Sequence, residues 1–188
     1  MLSILHKFFP LLVFLLLTAC YPSYKHLEYH FEEQGHYIKD VPFFPQEEHY
    51  CGPASLASVL GYWGHNVSQE EVAREVYTPK IGGTITVDMA NYARGKGFNA
   101  RYYNGDMGSL RKELDKGHPL ILFLHIGNSI VPRRHYIVAV GYDESRKVVI
   151  ANSGREKDTL IPYQELLKAW KRTGYWTLLI LPKEDTGQ

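Results

Sequence analysis

The segment that decides the fold runs from Cys51 to Trp63 and reads CGPASLASVLGYW. Its apolar residues recur at i, i+3, i+4 and i+7, which is the spacing of one face of an α-helix. They are Leu56, Val59, Leu60 and Trp63. Pro53 falls in the first turn, where a missing N–H costs little. The segment therefore predicts a helix with a cysteine at its first position.

The position of Cys51 makes it a candidate nucleophile. Free backbone N–H groups and the positive end of the macrodipole lie at a helix start, and both favour thiolate over thiol. The Gly-Pro-Ala-Ser that follows is small and leaves room for a substrate carbonyl. The alternative is a small buried cysteine that only fills space in the core.

Elements on either side of this helix indicate an α+β domain. Further helices are predicted from capping signals: Ser68 to Val76, Val87 to Arg94 with Thr86 as cap, Gly108 to Lys116 with Asp106 as cap, and Pro162 to Lys171. Strands are predicted from apolar runs: Pro119 to His125, His135 to Tyr142, Lys147 to Asn152 and Tyr175 to Leu181, with Val41 to Pro45 short and extended. Helices first and antiparallel strands afterwards are typical of α+β architecture.

The predicted hairpin around the turn 143–146 supplies a base for the cysteine and a partner to orient that base. A symmetric turn puts Asn152 opposite Ile137, on the sheet face that carries His135. The amide of Asn152 then accepts from the imidazole and fixes its tautomer. His125 has no comparable partner downstream. The alternatives are an ordinary strand-end histidine at 135 and a plain turn residue at 152.

Gln46 lies in the loop that leads into the first helix. Its side-chain amide and the backbone N–H of Cys51 are suitable donors for an oxyanion hole. The alternative is a surface glutamine. The sequence has no Cys-x-x-Cys or His-Glu-x-x-His motif, so neither a metal site nor another cofactor is expected.

The N-terminus is typical of an exported protein. Lys7 precedes an apolar stretch, Phe8 to Leu17, which is too short to span a bilayer comfortably and matches a signal peptide. The stretch ends in Leu17-Thr18-Ala19-Cys20, which resembles a bacterial lipobox and implies lipidation of Cys20 and cleavage before it. An ordinary uncleaved apolar N-terminus is the alternative. Lipidation would leave Cys51 as an unpaired thiol in an oxidising compartment, where it should have a use.

The predicted organisation is a lipoprotein signal peptide at 1–19, a lipidated tether at 20–38, one domain at 39–183 and a tail at 184–188. Tyr21, rather than aspartate, follows the lipidated cysteine. By resemblance to other lipoproteins, this implies a lipid anchor in the cell envelope, on the periplasmic side of the outer membrane if the organism has one. Lys plus Arg number 21 and Asp plus Glu 20, with no long run of one sign. Phosphate binding needs concentrated basic surface, so no nucleic-acid partner is expected. The protein is expected to be a monomer.

Three stretches together resemble the C39-like cysteine peptidases, papain-like enzymes related to the bacteriocin-leader peptidases. They are Pro45-Gln46 with Cys51-Gly52-Pro53-Ala54-Ser55-Leu56, Gly117-His118-Pro119-Leu120, and the run from His135-Tyr136 to Gly141-Tyr142-Asp143. The resemblance spans about Val41 to Leu181. It implies a papain-like fold in which an N-terminal helical part packs on a C-terminal antiparallel sheet.

The resemblance also implies site roles: Cys51 as nucleophile, His135 as general base and Gln46 as oxyanion donor. The family's third position is usually Asp, and this chain has Asn152, which orients an imidazole without adding negative charge. The stretch Gly82-Gly83-Thr84 resembles a Gly-Thr loop that lines the cleft in such domains, and a plain turn is its alternative.

The implied activity is hydrolysis of a peptide or protein substrate in the cell envelope through an acyl-enzyme on the cysteine. Two alternatives are transfer of the acyl group to an amine or thiol, and a non-catalytic cleft that holds a peptide or partner. The sequence has no Gly-x-x-x-x-Gly-Lys loop, so no ATP site is expected. The double-glycine specificity of the leader peptidases is not carried over to this chain.

Overall fold

The computed structural model of the protein describes residues 34–46, 49–127 and 132–183. The predicted signal peptide, Cys20 and the tail at 184–188 lie outside these residues.

The described chain contains five α-helices, and small residues allow the first one to be buried. They are α1 Cys51–Tyr62, α2 Gln69–Val76, α3 Thr86–Gly95, α4 Met107–Asp115 and α5 Tyr163–Lys171. Every residue of α1 from Gly52 to Leu60 is buried, because this helix packs between α2 and the sheet. None of these helices is both long and apolar enough to cross a membrane.

The helix starts follow local side-chain chemistry in two of the three places where a cap was predicted. Ser68 and Asp106 both form capping boxes, in which the cap side chain accepts an N–H and the third helical residue accepts the cap's own N–H. The predicted cap at Thr86 is wrong. Ile85 is the N-cap and makes no side-chain hydrogen bond, and Thr86 is already helical, because the chain leaves the preceding strand at Thr84 and turns directly into α3.

Seven antiparallel strands form the main sheet: β1 Gly35–Tyr37, β4 Phe98–Asn104, β5 Leu120–Gly127, β6 Pro132–Asp143, β7 Val148–Ser153, β8 Glu156–Pro162 and β9 Trp176–Pro182. Their order is β4-β9-β5-β6-β7-β8, with β1 beside β6. Two short strands, β2 Tyr77–Thr78 and β3 Gly83–Thr84, pair with each other apart from this sheet. Helices before a large antiparallel sheet confirm the α+β prediction.

The long strand β6 organises the sheet around the site. Its first part pairs with β5, its last part pairs with β7, and β1 adds to its end through Tyr37 and Gly141. Strand β1 lies within the predicted tether at 20–38. The last residues of that tether therefore belong to the sheet of the folded domain. Val41 to Pro45 forms no strand.

Candidate active site

Cys51 is the first residue of α1, as the sequence predicts. Burial raises the pKa of the Cys51 thiol, whereas backbone N–H groups around the sulfur, first that of Tyr136 and then those of Gly52 and Cys51 itself, lower it. Burial raises this pKa more than they lower it, and the net shift is upward. The N–H groups at the helix start thus favour the thiolate, as the sequence analysis expects, but burial outweighs them.

His135 lies on β6, directly before Tyr136, whose N–H lowers the pKa of the Cys51 thiol. Its side chain is buried, with 7% of its surface exposed. Burial, with the positive charge of Arg133 as a second cause, lowers the pKa of His135 to about 4. The imidazole is therefore neutral at pH 7 and able to accept a proton.

The pairing of β6 with β7 differs from the predicted register. Asn152 lies opposite Val138 rather than Ile137, because the turn closes at Asp143 and Val148 and because a bulge at Val140 shifts the ladder again. A shift of one residue moves a side chain to the other face of a strand. Asn152 therefore does not share the sheet face of His135 in this ladder.

The hydrogen bonds of Ser153 and Asn152, the two residues that could orient the imidazole, agree with this register. Nε2 of His135 lies 3.0 Å from Oγ of Ser153. Oδ1 of Asn152 instead accepts the backbone N–H of Asp158 at 3.2 Å, and Nδ2 of Asn152 is buried without a partner. The structure thus brings Ser153 to the imidazole, and the catalytic role predicted for Asn152 has no such contact. Sequence reasoning missed Ser153, because only the bulged register points to it.

Gln46 is tied to the turn that follows β7. Its backbone N–H donates to the carbonyl of Gly154 at 2.9 Å, which holds the loop before α1 against the residue after Ser153. Gln46 lines the same cleft as Cys51 and His135. Three of the four predicted site residues are therefore together.

The segment Gly82-Gly83-Thr84 also lines this cleft, so it is more than a plain turn. Thr84 packs directly on the start of α1, where a Cβ added at Gly52 would meet the Thr84 Cβ at 2.7 Å. The hydroxyl of Tyr136 donates to the carbonyl of Thr84 at 3.1 Å. Gly52 is therefore required for the close approach of β3 to the cysteine.

The cleft has a volume of about 790 Å³, which suits several residues of an extended peptide or a small ligand. Asn152 is absent from the described residues that line it. Within ranges 34–46, 49–127 and 132–183, no three His, Cys, Asp or Glu side chains are grouped so that they could hold a metal ion.

Solved structures with similar folds include peptidase domains and a putative peptidase. The chain is similar to a double glycine motif protease from an AMS/PCAT transporter, solved in complex with its leader peptide, with 25% identity, a TM-score of 0.60 and coverage of 79% of this chain and 95% of that one. It is similar to the peptidase domain of Streptococcus ComA, a bifunctional ABC transporter in quorum sensing, with 26% identity, a TM-score of 0.62 and coverage of 77% and 100%. A putative C39-like peptidase from Bacillus anthracis shares the fold at 18% identity, with a TM-score of 0.66 and coverage of 80% and 99%.

An uncharacterized protein of Methanothermobacter thermautotrophicus is 34% identical over 102 residues, which are 54% of this chain and 63% of that protein. The match thus spans less than two thirds of that relative. The profile of the Peptidase_C39 like family matches residues 38–178, which include Cys51, His135 and Gln46. With the sheet order and the cleft described above, this match shows that the fold is papain-like and that the chain belongs to the Peptidase_C39 like family.

Proposed function

We propose that this protein is a cysteine peptidase that cleaves peptide bonds with Cys51 as nucleophile and His135 as base. The observation that carries the proposal is that Cys51, at the start of α1, and His135, on β6, line one cleft. Family membership and the fold support cysteine-peptidase chemistry in general.

The charge states support a reaction that begins from a neutral pair. The raised pKa of Cys51 and the lowered pKa of His135 both favour thiol and neutral imidazole at pH 7. As the sulfur attacks the substrate carbonyl, the imidazole takes the thiol proton. The proton then passes from His135 to the leaving amine, which leaves an acyl group on the sulfur.

The oxyanion that forms on the carbonyl needs donors near the sulfur. In the proposal these are the backbone N–H of Cys51 and the side-chain amide of Gln46, a residue of the cleft wall. A water molecule, activated by neutral His135, then attacks the thioester. Release of the carboxylic acid restores the thiol.

The test is a comparison of cleavage by the full chain and by its Cys51→Ala and His135→Ala variants. Each is incubated with peptides from a bacterial proteome digest, and new N-termini are identified by mass spectrometry. We expect cleavage by the wild type and none by the Cys51→Ala variant. New N-termini that persist in both variants would refute the assignment.

A second candidate is a cleft that binds a peptide without cleaving it. It is favoured by the hydrogen bond of Asn152 to the Asp158 N–H, which replaces the expected contact with His135. Full biological function in a Cys51→Ser strain would support binding over catalysis. Products formed with an added amine in place of water would instead support acyl transfer.

We also propose that the protein is a lipoprotein anchored through Cys20 in the cell envelope, facing the periplasm in an organism with an outer membrane. The lipobox-like Leu17-Thr18-Ala19-Cys20 supports this proposal. Metabolic labelling with radioactive palmitate should mark the wild type, and the Cys20→Ser variant should be unlabelled and released from membranes. Equal labelling of both would contradict it.

A further inference from the structure

Three arginines line the cleft near His135, and the proposed reaction uses none of them. Arg133 and Arg134 precede His135 on β6, and Arg155 follows Gly154 in the turn between β7 and β8. All three are exposed. They therefore lie on both chain segments that meet at the imidazole, since Ser153 in the second segment contacts it.

Their charge is not balanced by the described part of the cleft. None of the described residues that line it is acidic. The ion pairs between described residues use other arginines and lysines, such as Arg111 with Glu144 and Lys96 with Glu75. The carboxylates nearest in sequence to the cleft loop, at 47 and 48, lie outside the described residues.

The positive charge also reaches the reacting groups. Arg133 lowers the pKa of both the Cys51 thiol and the His135 imidazole. A cation that disfavours imidazolium formation is costly for a base unless an anion compensates it. A bound acidic group would supply this compensation.

A second set of lining residues, at 81–86, is mainly apolar or small. Ile81 is 59% exposed and Ile85 is 42% exposed, and they are among the few large apolar side chains that the described surface leaves open. Exposed apolar side chains grouped in a cleft are typical of a binding site. Apolar and cationic groups therefore face the same cavity.

We infer that the cleft selects acidic peptides, in which an Asp or Glu near the cleaved bond pairs with Arg133, Arg134 or Arg155 while an apolar side chain packs on Ile81 and Ile85. Arginine binds carboxylates in a bidentate way, which gives both affinity and orientation. The inference rests on the proposed function, because it places these arginines beside the bond that Cys51 attacks.

The test uses the full chain and the proteome-digest peptides. We expect Asp and Glu to be enriched around the bonds that the wild type cleaves. For a cleaved peptide resynthesised with Asn or Gln in place of its acids, kcat/KM should fall by about tenfold or more. The Arg155→Glu variant should weaken this preference severalfold without reversing it, because Arg133 and Arg134 still line the cleft.

The matched control is Lys157→Glu, which makes the same change of charge on β8 of the same hairpin. Lys157 is exposed and is not among the residues that line the cleft. This variant should keep the wild-type preference. If Lys157→Glu changes the preference as much as Arg155→Glu, a general charge effect explains it and the inference is overturned.

The remaining outcomes separate this inference from the peptidase proposal. Cleavage without any preference for acids overturns the inference and leaves the peptidase intact. If the wild type cleaves nothing, the peptidase proposal fails, and binding to the Cys51→Ala full chain decides the inference. Fluorescence anisotropy should then show tighter binding of peptides with Ile beside Asp than of those with Ile beside Asn, and equal binding would overturn it.

Discussion

His135 places a basic side chain in an environment that resists its charge. The ring is buried, and its positive neighbour Arg133 adds to the cost of protonation, so the pKa falls from an ordinary value near 6.5 to about 4. Cys51 shows the mirror effect, since burial raises the pKa of its thiol. At the scale of single residues, the site therefore holds a neutral acid and a neutral base in one cleft.

This charge state predicts the pH dependence of cleavage. Because only unprotonated His135 accepts the thiol proton, kcat/KM should fall with decreasing pH only near pH 4. Arg133→Gln removes a charge that disfavours imidazolium, so the pKa of His135 rises and the acid limb should move towards neutral pH. Activity measured after return to pH 7 controls for unfolding. An acid limb near 6.5 in the wild type would contradict the prediction.

The contact between His135 and Ser153 predicts which residue orients the imidazole. We expect Ser153→Ala to lower kcat by about tenfold, equivalent to about 1.4 kcal/mol, with little change in KM and a shifted acid limb. Ser153→Thr keeps the hydroxyl and should restore most of the rate.

The neighbouring variant Asn152→Ala is the matched comparison. It removes the acceptor of the Asp158 N–H, so we expect a loss of about 1–3 kcal/mol in the free energy of unfolding and a smaller effect on kcat. If Asn152→Ala slows kcat and Ser153→Ala does not, Asn152 orients the base, as the sequence analysis predicted.

At the scale of elements, the contact between α1 and β3 brings together two segments that line the cleft. Gly52→Ala would press its methyl group onto Thr84, whose Cβ would lie 2.7 Å from the added methyl carbon. We expect a loss of about 1–3 kcal/mol in unfolding free energy, measured by urea denaturation. Thr84→Gly should recover much of it in the double variant. Gly83→Ala, whose Cβ would meet nothing within 4 Å, is the control and should cost far less.

The elements that the sequence predicted are those with strong local signals. Helices α2 and α4 have capping boxes at their starts, and α1 has regular apolar spacing. The strands β4 and β8 were not predicted, because both lie at the edges of the sheet and leave much of their surface exposed, so neither has a continuous apolar pattern.

The register of the central hairpin was beyond sequence reasoning for a different reason. A bulge at Val140 depends on β1, which pairs beside it: the Ile38 N–H donates to the Val140 carbonyl, and a Cβ at Gly141 would collide with the backbone of His36. These contacts join residues far apart in the chain, and no local pattern encodes them. The cleft membership of Cys51, His135 and Gln46 was predictable, and the turn that presents Ser153 was not.

At the scale of the whole molecule, β1 stabilises the sheet by pairing with the end of β6. Ile38 is 5% exposed, and the hydroxyl of Tyr37 donates to Asp158 at 3.0 Å. A chain that begins at Lys39 loses both, and we expect it to be less stable by about 2–4 kcal/mol than one that begins at Gln34. Urea denaturation measures the difference. Equal stability would show that β1 is dispensable, and the internal variant Ile38→Ala should reproduce part of the loss.

The pairing of β1 with β6 has a mechanical consequence. The described chain enters the sheet at Gly35 and hydrogen bonds first to the strand that also holds His135. Tension applied upstream of β1 is transmitted to the bulged end of that strand before it reaches α1 or the remote edge of the sheet. A pulling experiment from the N-terminus should therefore strip β1 from β6 as its first event.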